Sequence, residues 1–164
     1  MGQLRSASRA LAPTHGPAAL LEALDRFTAT TLGTSLATAA VAIIDPAERT
    51  LRYCLAGHPP MLLRRPDGTV TPLEEASRPL LGLDTRARPE QVVTFAPSSV
   101  LVLFTDGLVE RRGETFDTGL DRLTTVLTSM TTSDPVSLCE AFVNQALPPA
   151  VRVDDTAILC AFLA

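Results

Sequence analysis

Asp106 follows five consecutive branched or aromatic residues, Val100-Leu101-Val102-Leu103-Phe104, and the single polar Thr105; Gly107-Leu108-Val109-Glu110 come after it. Such an apolar run reads as a strand buried on both faces. It cannot carry an ionised carboxylate in its interior without a partner, so Asp106 is expected at the strand's end, facing solvent or a cation. Near the C-terminus the order is reversed, because Asp154-Asp155-Thr156 comes immediately before Ala157-Ile158-Leu159-Cys160-Ala161-Phe162-Leu163. Carboxylates therefore also stand at the start of a second strand expected to be buried. Two strand ends bearing Asp, if adjacent in space, make half of a site for a hard divalent cation, which takes carboxylate oxygens and water as ligands.

Other reactive side chains are weaker candidates. His58, in Ala56-Gly57-His58-Pro59-Pro60, could be a ligand or a general acid. Gly57 can take a positive φ and the two prolines stiffen the corner, which favours a tight turn with His58 bonded to backbone. His15 falls in a loop and reads as solvated. Arg111-Arg112, in the loop after Asp106, read either as a solvated pair or as guanidiniums that dock acidic or phosphate groups; Glu110 reads as structural. Asp67-Gly68-Thr69 is a hairpin turn, since Arg65 occupies the position where a haloacid-dehalogenase-like nucleophile loop needs another Asp. Cys54, Cys139 and Cys160 lack metal-ligand spacing, have no Arg six positions on, and lie in apolar surroundings. They read as buried free thiols of a reducing compartment.

Composition limits the classes. A chain of 164 residues with 46% hydrophobic and 20% charged residues suits one ordinary globular domain, 1–164. The net charge of −4 gives no basic footprint for nucleic acid. All 14 basic residues are Arg, which excludes a Walker-type loop, a Schiff-base lysine and a kinase lysine. No apolar run approaches the ~18 residues of a membrane span, and no signal-peptide core is present, so a cytoplasmic location is expected.

The elements that must position these residues follow from periodicity. Gln3 to Leu11 reads as a short helix, and Pro17 starts a second of roughly four turns with Leu20, Leu24, Phe27 and Thr31 on one face. Leu36–Ile44, Thr50–Ala56, Met61–Arg65 and Thr69–Leu73 read as the strands of one antiparallel meander. Arg78 to Leu83 is an irregular apolar connection packed over a sheet edge, and Gln91 to Phe95 is a further strand. Arg111 to Phe116 reads as loop, Gly119 to Met130 as a helix, and Asp134-Pro135 as the start of another that stops at Leu147-Pro148-Pro149. Helices, strands, helices and one last strand, in segregated runs, argue for an α+β layered architecture.

Taken in order, Ala56-Gly57-His58-Pro59-Pro60, Pro79-Leu80-Leu81-Gly82-Leu83, Phe104 to Glu110 and Asp154 to Leu159 resemble the C-terminal two-thirds of a PPM-type metal-dependent serine/threonine phosphatase. The similar branch is the bacterial one named for stage II sporulation protein E, and the likeness spans about Gln3 to Ala164. The resemblance implies an α/β/β/α sandwich of two antiparallel sheets flanked by helices. It also implies hydrolysis of a phosphoserine or phosphothreonine ester by two Mg²⁺ or Mn²⁺ ions, with metal-bound water as nucleophile and no covalent enzyme intermediate. Asp106 and Asp154 match the family's metal-binding positions, and Asp155 is a weaker or outer ligand; Gly57, His58 and Gly107 are supporting residues.

The family's upstream Gly-Asp pair and Gly-Asp-x-x-Gly-His-Gly segment do not occur in these residues, so an N-terminally truncated, partial domain is expected. That expectation carries two others: little activity for this chain alone, and a dimer through uncovered sheet edges. The implied substrate is a phosphoprotein, specifically a phosphorylated anti-sigma-factor antagonist in bacterial sigma-factor regulation. The alternative is a catalytically inactive regulatory or binding remnant of such a phosphatase.

Overall fold

The computed structural model describes residues 2–32, 36–83, 86–111, 113–131, 134–146 and 156–164. In chain order the elements are α1 (Gly2–Leu11), α2 (Pro17–Phe27), β1 (Ala39–Asp45), β2 (Thr50–Ala56), β3 (Met61–Arg64), β4 (Val70–Leu73), β5 (Ser77–Arg78), β6 (Gln91–Thr94), β7 (Ser99–Phe104), α3 (Phe116–Ser129), α4 (Pro135–Ala146) and β8 (Ile158–Leu163). They form two compact units, one of Met1–His58 with Glu74–Thr94 and the other of Pro59–Leu73 with Phe95–Ala164. Each has its own four-stranded sheet and its own pair of helices.

In the first unit β1 and β2 form an antiparallel hairpin from Ala39↔Ala56 to Asp45↔Thr50. Asp45 Oδ1 closes its turn by accepting from the backbone N–H groups of Ala47 and Glu48, and Arg49 takes a φ of 51°. The other edge of β2 is shared: Thr50–Tyr53 pairs antiparallel with β6, and Leu55–Ala56 pairs parallel with β5. Leu20, Leu21 and Leu24 of α2, one apolar stripe at helical spacing, pack on Cys54, Ala56 and Leu81. The helix is shorter than its sequence period suggested. After Phe27 the chain widens into a π-helical turn, Thr28–Leu32, and the Thr28 hydroxyl donates back to Leu24 O at 2.8 Å.

A single meander is not what the chain builds. β2 and β3 belong to different sheets, and the chain changes sheet at Gly57-His58-Pro59-Pro60. Two prolines remove two backbone donors at that point, so the corner cannot continue as a hairpin ladder. Gly57 has a φ of +59°, and a Cβ there would lie 2.9 Å from Leu80 Cγ. Both facts require glycine.

The 78–88 connection is held to α2 by charges on that helix's buried side. Arg88 Nε donates to Asp25 Oδ2 at 2.6 Å and its Nη2 to Asp25 Oδ1 at 2.9 Å. The side chains are only 1% and 7% exposed, so the fork is almost wholly removed from water. Arg88 Nη2 also donates to Pro79 O, Gly82 N donates to Asp25 Oδ1, and Arg88 N donates to Glu22 Oε1. Every strong polar group of the pair thus has a partner, the condition under which a buried ion pair is tolerated.

In the second unit the strand order is β4-β3-β7-β8, antiparallel throughout. Leu62, Val100, Val102 and Phe104 present one face to Leu123 and Leu127 of α3 and to Leu138 and Phe142 of α4. Burying each such side chain contributes about 1.5–3 kcal/mol, and this layer fixes where β7 ends. β7 is buried along its length apart from half-buried Leu103, as the apolar run predicts. β8 differs from expectation: it is an edge strand with Leu159 56% exposed, because only β7 pairs with it among the described residues.

Helix α3 starts at Phe116, three residues before the apolar period does, because Thr115 Oγ1 accepts from Thr118 N at 3.2 Å and caps it. Gly119 touches the 109 turn so closely that a Cβ would collide with Val109 O. Asp134 caps α4 by accepting from Ser137 N at 2.8 Å. Hydrogen bonds from Ser137, side chain and then backbone, hold the Asp134 carboxyl below the usual carboxylate range. The cap is therefore intact at neutral pH and is lost as pH falls through that depressed value.

Replacing Arg88 by Ala leaves Asp25 buried without its counter-charge. The expected loss is about 3–5 kcal/mol of unfolding free energy, measured by urea denaturation. A loss within ~0.5 kcal/mol, the range of a surface substitution, would show that the pair does not hold this unit.

Candidate metal centre

Asp106 stands where the apolar strand ends. Thr105 is still extended, and the chain then turns through one 3-10 turn, Asp106–Leu108. Leu108 N donates to Thr105 O, and both Val109 N and Glu110 N donate to Asp106 O at 2.8 and 2.9 Å. Glu110 joins the turn through its backbone N–H, and its side chain is exposed. The Asp106 side chain is exposed, and its Oδ1 accepts from Gly107 N at 3.0 Å. The turn's own amide orients the carboxylate while leaving oxygen lone pairs for a cation.

The second strand end is brought to the same place by register. β7 and β8 pair from Ser99↔Leu163 to Phe104↔Ile158. One residue further, Thr105 N donates to Ala157 O at 3.0 Å, and Ala157 N donates to Thr105 Oγ1 at 2.9 Å. The threonine therefore completes the ladder with its side chain at the point where the backbone begins to turn. Asp154 and Asp155, the two residues before Thr156 in the chain, lie outside the described residues. Among the described residues no three His, Cys, Asp or Glu side chains cluster as a metal site. Asp106 is a hard-oxygen donor and suits Mg²⁺ or Mn²⁺ in kind. Gly57 and half-buried His58 belong to the other unit, where Gly57 makes the positive-φ corner described above.

A residue with no sequence motif holds the Asp106 turn. Arg122, on α3, donates through Nη2 to Leu108 O at 3.3 Å and Val109 O at 3.2 Å, and through Nη1 to Ala146 O at 3.4 Å. Its Nε faces Glu114 Oε2 at 3.5 Å, an ion-pair contact without hydrogen-bond geometry. Arg111 Nη2 donates to the same Ala146 O at 3.0 Å. Two guanidiniums thus cover the C-terminal carbonyl end of α4, where the helix dipole favours positive charge. Burial and then the neighbouring Arg111 charge lower the Arg122 pKa, which Glu114 opposes; the group stays charged at neutral pH. Arg111 is accordingly half-buried and anchored at a helix end through Nη2, and not simply solvated. Arg112 lies outside the described residues.

Comparison with solved structures gives the class of fold. The chain is similar to the RsbU and RsbW domains of Rv1364c from Mycobacterium tuberculosis at TM-score 0.86 and 28% identity, over 99% of this chain and 46% of that one. It is similar to the SiaA-PP2C domain of Pseudomonas aeruginosa at TM-score 0.77 and 22% identity, over 98% and 68% of the two chains. The PP2C phosphatase domain of SpoIIE from Bacillus subtilis, with a fragment of its regulatory domain, matches at TM-score 0.79 and 14% identity, over 97% and 48%. This chain therefore spans less than half the length of the Mycobacterium tuberculosis structure. The fold is that of a PP2C, or PPM-type, phosphatase domain, α+β with two largely antiparallel sheets and a helix pair for each. The family model for stage II sporulation protein E (SpoIIE) matches residues 1–163, and the chain belongs to that family.

Arg122→Ala removes three carbonyl partners of the Asp106 turn and the α4 end at once. The expected cost is about 2 kcal/mol or more in urea denaturation. Arg122→Lys is expected to recover less than about half of it, because a single ammonium cannot reproduce the guanidinium fork. Full recovery by Lys would mean that charge at the helix end, and not the fork, is what matters.

Proposed function

We propose that this chain carries part of the metal-binding site of a phosphoprotein phosphatase, with Asp106 and Asp154 as direct ligands of Mn²⁺ or Mg²⁺ and Asp155 as a weaker or outer one. The observation that carries the reading is the β7–β8 register, which sets the end of the Asp106 strand against the start of the strand that Asp154 and Asp155 precede. A related structure, RsbX, was determined in complex with magnesium. When bound, such ions polarise the phosphoryl group and lower the pKa of coordinated water. The chain's own share is positional. β7 and Thr105 fix the carboxylate's origin, Gly107 N orients it, and Arg122 keeps the turn from swinging.

The substrate class that fits is a phosphoserine or phosphothreonine protein. By likeness to the RsbU-containing structure, a phosphorylated anti-sigma-factor antagonist is the proposed member of that class. No described helix is long and apolar enough to cross a membrane, consistent with a substrate met in solution, and the cytoplasm is the proposed location. Among the described residues, β1 and β8 each pair on one side only. Those edges support the expected dimer, which sedimentation at high concentration would show and a clean monomer would contradict.

Asp106→Asn and Asp154→Asn are each expected to weaken Mn²⁺ binding by about tenfold or more, followed by calorimetric titration. Mn²⁺-dependent hydrolysis of p-nitrophenyl phosphate and of a phosphoserine peptide is expected to be feeble in the 164-residue chain and lost in both variants. Unchanged Mn²⁺ affinity in Asp106→Asn would remove Asp106 from the ligand set. Intact Mn²⁺ and phosphoprotein binding with no turnover under any metal would favour a regulatory binding module.

A further inference from the structure

We propose that the Thr105 hydroxyl is a positioning group for Asp106, standing in for the Thr105 carbonyl as the last acceptor of the β7–β8 ladder. The inference rests on the metal reading proposed above and deepens it. Its basis is the division of acceptors at one residue. From Ser99↔Leu163 to Phe104↔Ile158 the two strands align residue for residue. At the next pair Thr105 N donates to Ala157 O at 3.0 Å, and the return bond of a regular antiparallel pair would run from Ala157 N to Thr105 O. Thr105 O instead accepts from Leu108 N at 3.1 Å, closing the turn Asp106–Leu108. Ala157 N donates to Thr105 Oγ1 at 2.9 Å.

One oxygen of Thr105 thus serves the turn and the other serves the ladder. Without the hydroxyl, Leu108 N in the turn and Ala157 N on the neighbouring strand compete for Thr105 O. If Ala157 N takes it, the turn that aims Asp106 loosens. If Leu108 N keeps it, Ala157 N goes to water and the start of β8 loses its last tie to β7. Asp106 directly follows Thr105, and Asp154-Asp155-Thr156 lead directly into Ala157 in the sequence. Either outcome frees the carboxylate's strand end from the strand beside it, and groups that orient metal ligands in this way typically account for about 10–100-fold in affinity.

The effect is local. Thr105 is half-buried and Ala157 is exposed, so water satisfies Ala157 N once the hydroxyl is gone, and no buried donor is orphaned. The far side of the turn keeps its own tether, since Arg122 donates to Leu108 O and Val109 O. Loss of the hydroxyl therefore acts on the strand end and on the ion more than on the stability of the chain.

The test compares the 164-residue chain with Thr105→Val, which keeps the shape and removes the acceptor, and Thr105→Ser, which keeps the acceptor. In the metal-free proteins, hydrogen exchange of the Ala157 amide, followed by NMR, is expected to quicken about tenfold in Thr105→Val and to stay within about twofold of wild type in Thr105→Ser. Mn²⁺ affinity by calorimetric titration is expected to fall about tenfold in Thr105→Val and to be retained in Thr105→Ser, with the urea midpoints of all three proteins close together. Unchanged Ala157 exchange in Thr105→Val, equal loss of affinity in both variants, or a loss that follows a lowered urea midpoint would each overturn the proposal. Asp106→Asn separates this inference from the reading beneath it. If Asp106→Asn weakens Mn²⁺ binding and Thr105→Val does not, the positioning role fails and the metal reading stands. If Asp106→Asn leaves Mn²⁺ affinity unchanged, the metal reading fails and takes the role toward the ion with it, whatever Ala157 exchange shows of the strand.

Discussion

The antiparallel pairing of β7 with β8 is the interaction on which the second unit and its candidate site both depend. It joins segments more than fifty residues apart, and six backbone pairs set their alignment before any side chain of the site is considered. A slip of one residue would turn every side chain of β8 to the opposite face. Core residues Val100, Val102 and Phe104 on one strand, and Ile158, Cys160 and Phe162 on the other, would no longer point to the same helices. Hydrophobic burial therefore enforces the register, and the register brings the two strand ends together. Thr105 extends the ladder by one side-chain bond where backbone pairing runs out.

Arginine holds the loops. Arg64 on β3 donates to Leu127 O and Met130 O at the end of α3, Arg111 and Arg122 cover Ala146 O at the end of α4, and Arg88 binds Asp25 with Pro79 O. Each case sets a planar fork of donors against backbone carbonyls that lack a partner at a helix end or an irregular turn. An ammonium offers three donors from one nitrogen, without the planar spread of the guanidinium fork. In a chain whose basic residues are all Arg, this gives four of those residues a structural use that composition alone did not disclose.

Local pattern in the sequence determined most of the elements, because burial imposes a period that survives without tertiary context. The five-residue apolar run fixed β7 and put Asp106 at its end, Pro17 and Asp134-Pro135 marked two helix starts, and the ordered motifs pointed to the PPM-type fold. Where pattern misled, a corner, a strand order or a helix cap was the reason. β2 and β3 read as adjacent strands of one meander, yet the Gly57-to-Pro60 corner sends them to separate sheets. β8 read as buried, yet strand order leaves it at an edge, and α3 began early because a Thr115 cap outweighs a weak apolar period. Arg122, Arg111 and the Asp25–Arg88 fork carried no readable signal, since an exposed arginine and one aimed at a distant carbonyl look alike in sequence. Only the packed chain decided which carbonyl each could reach.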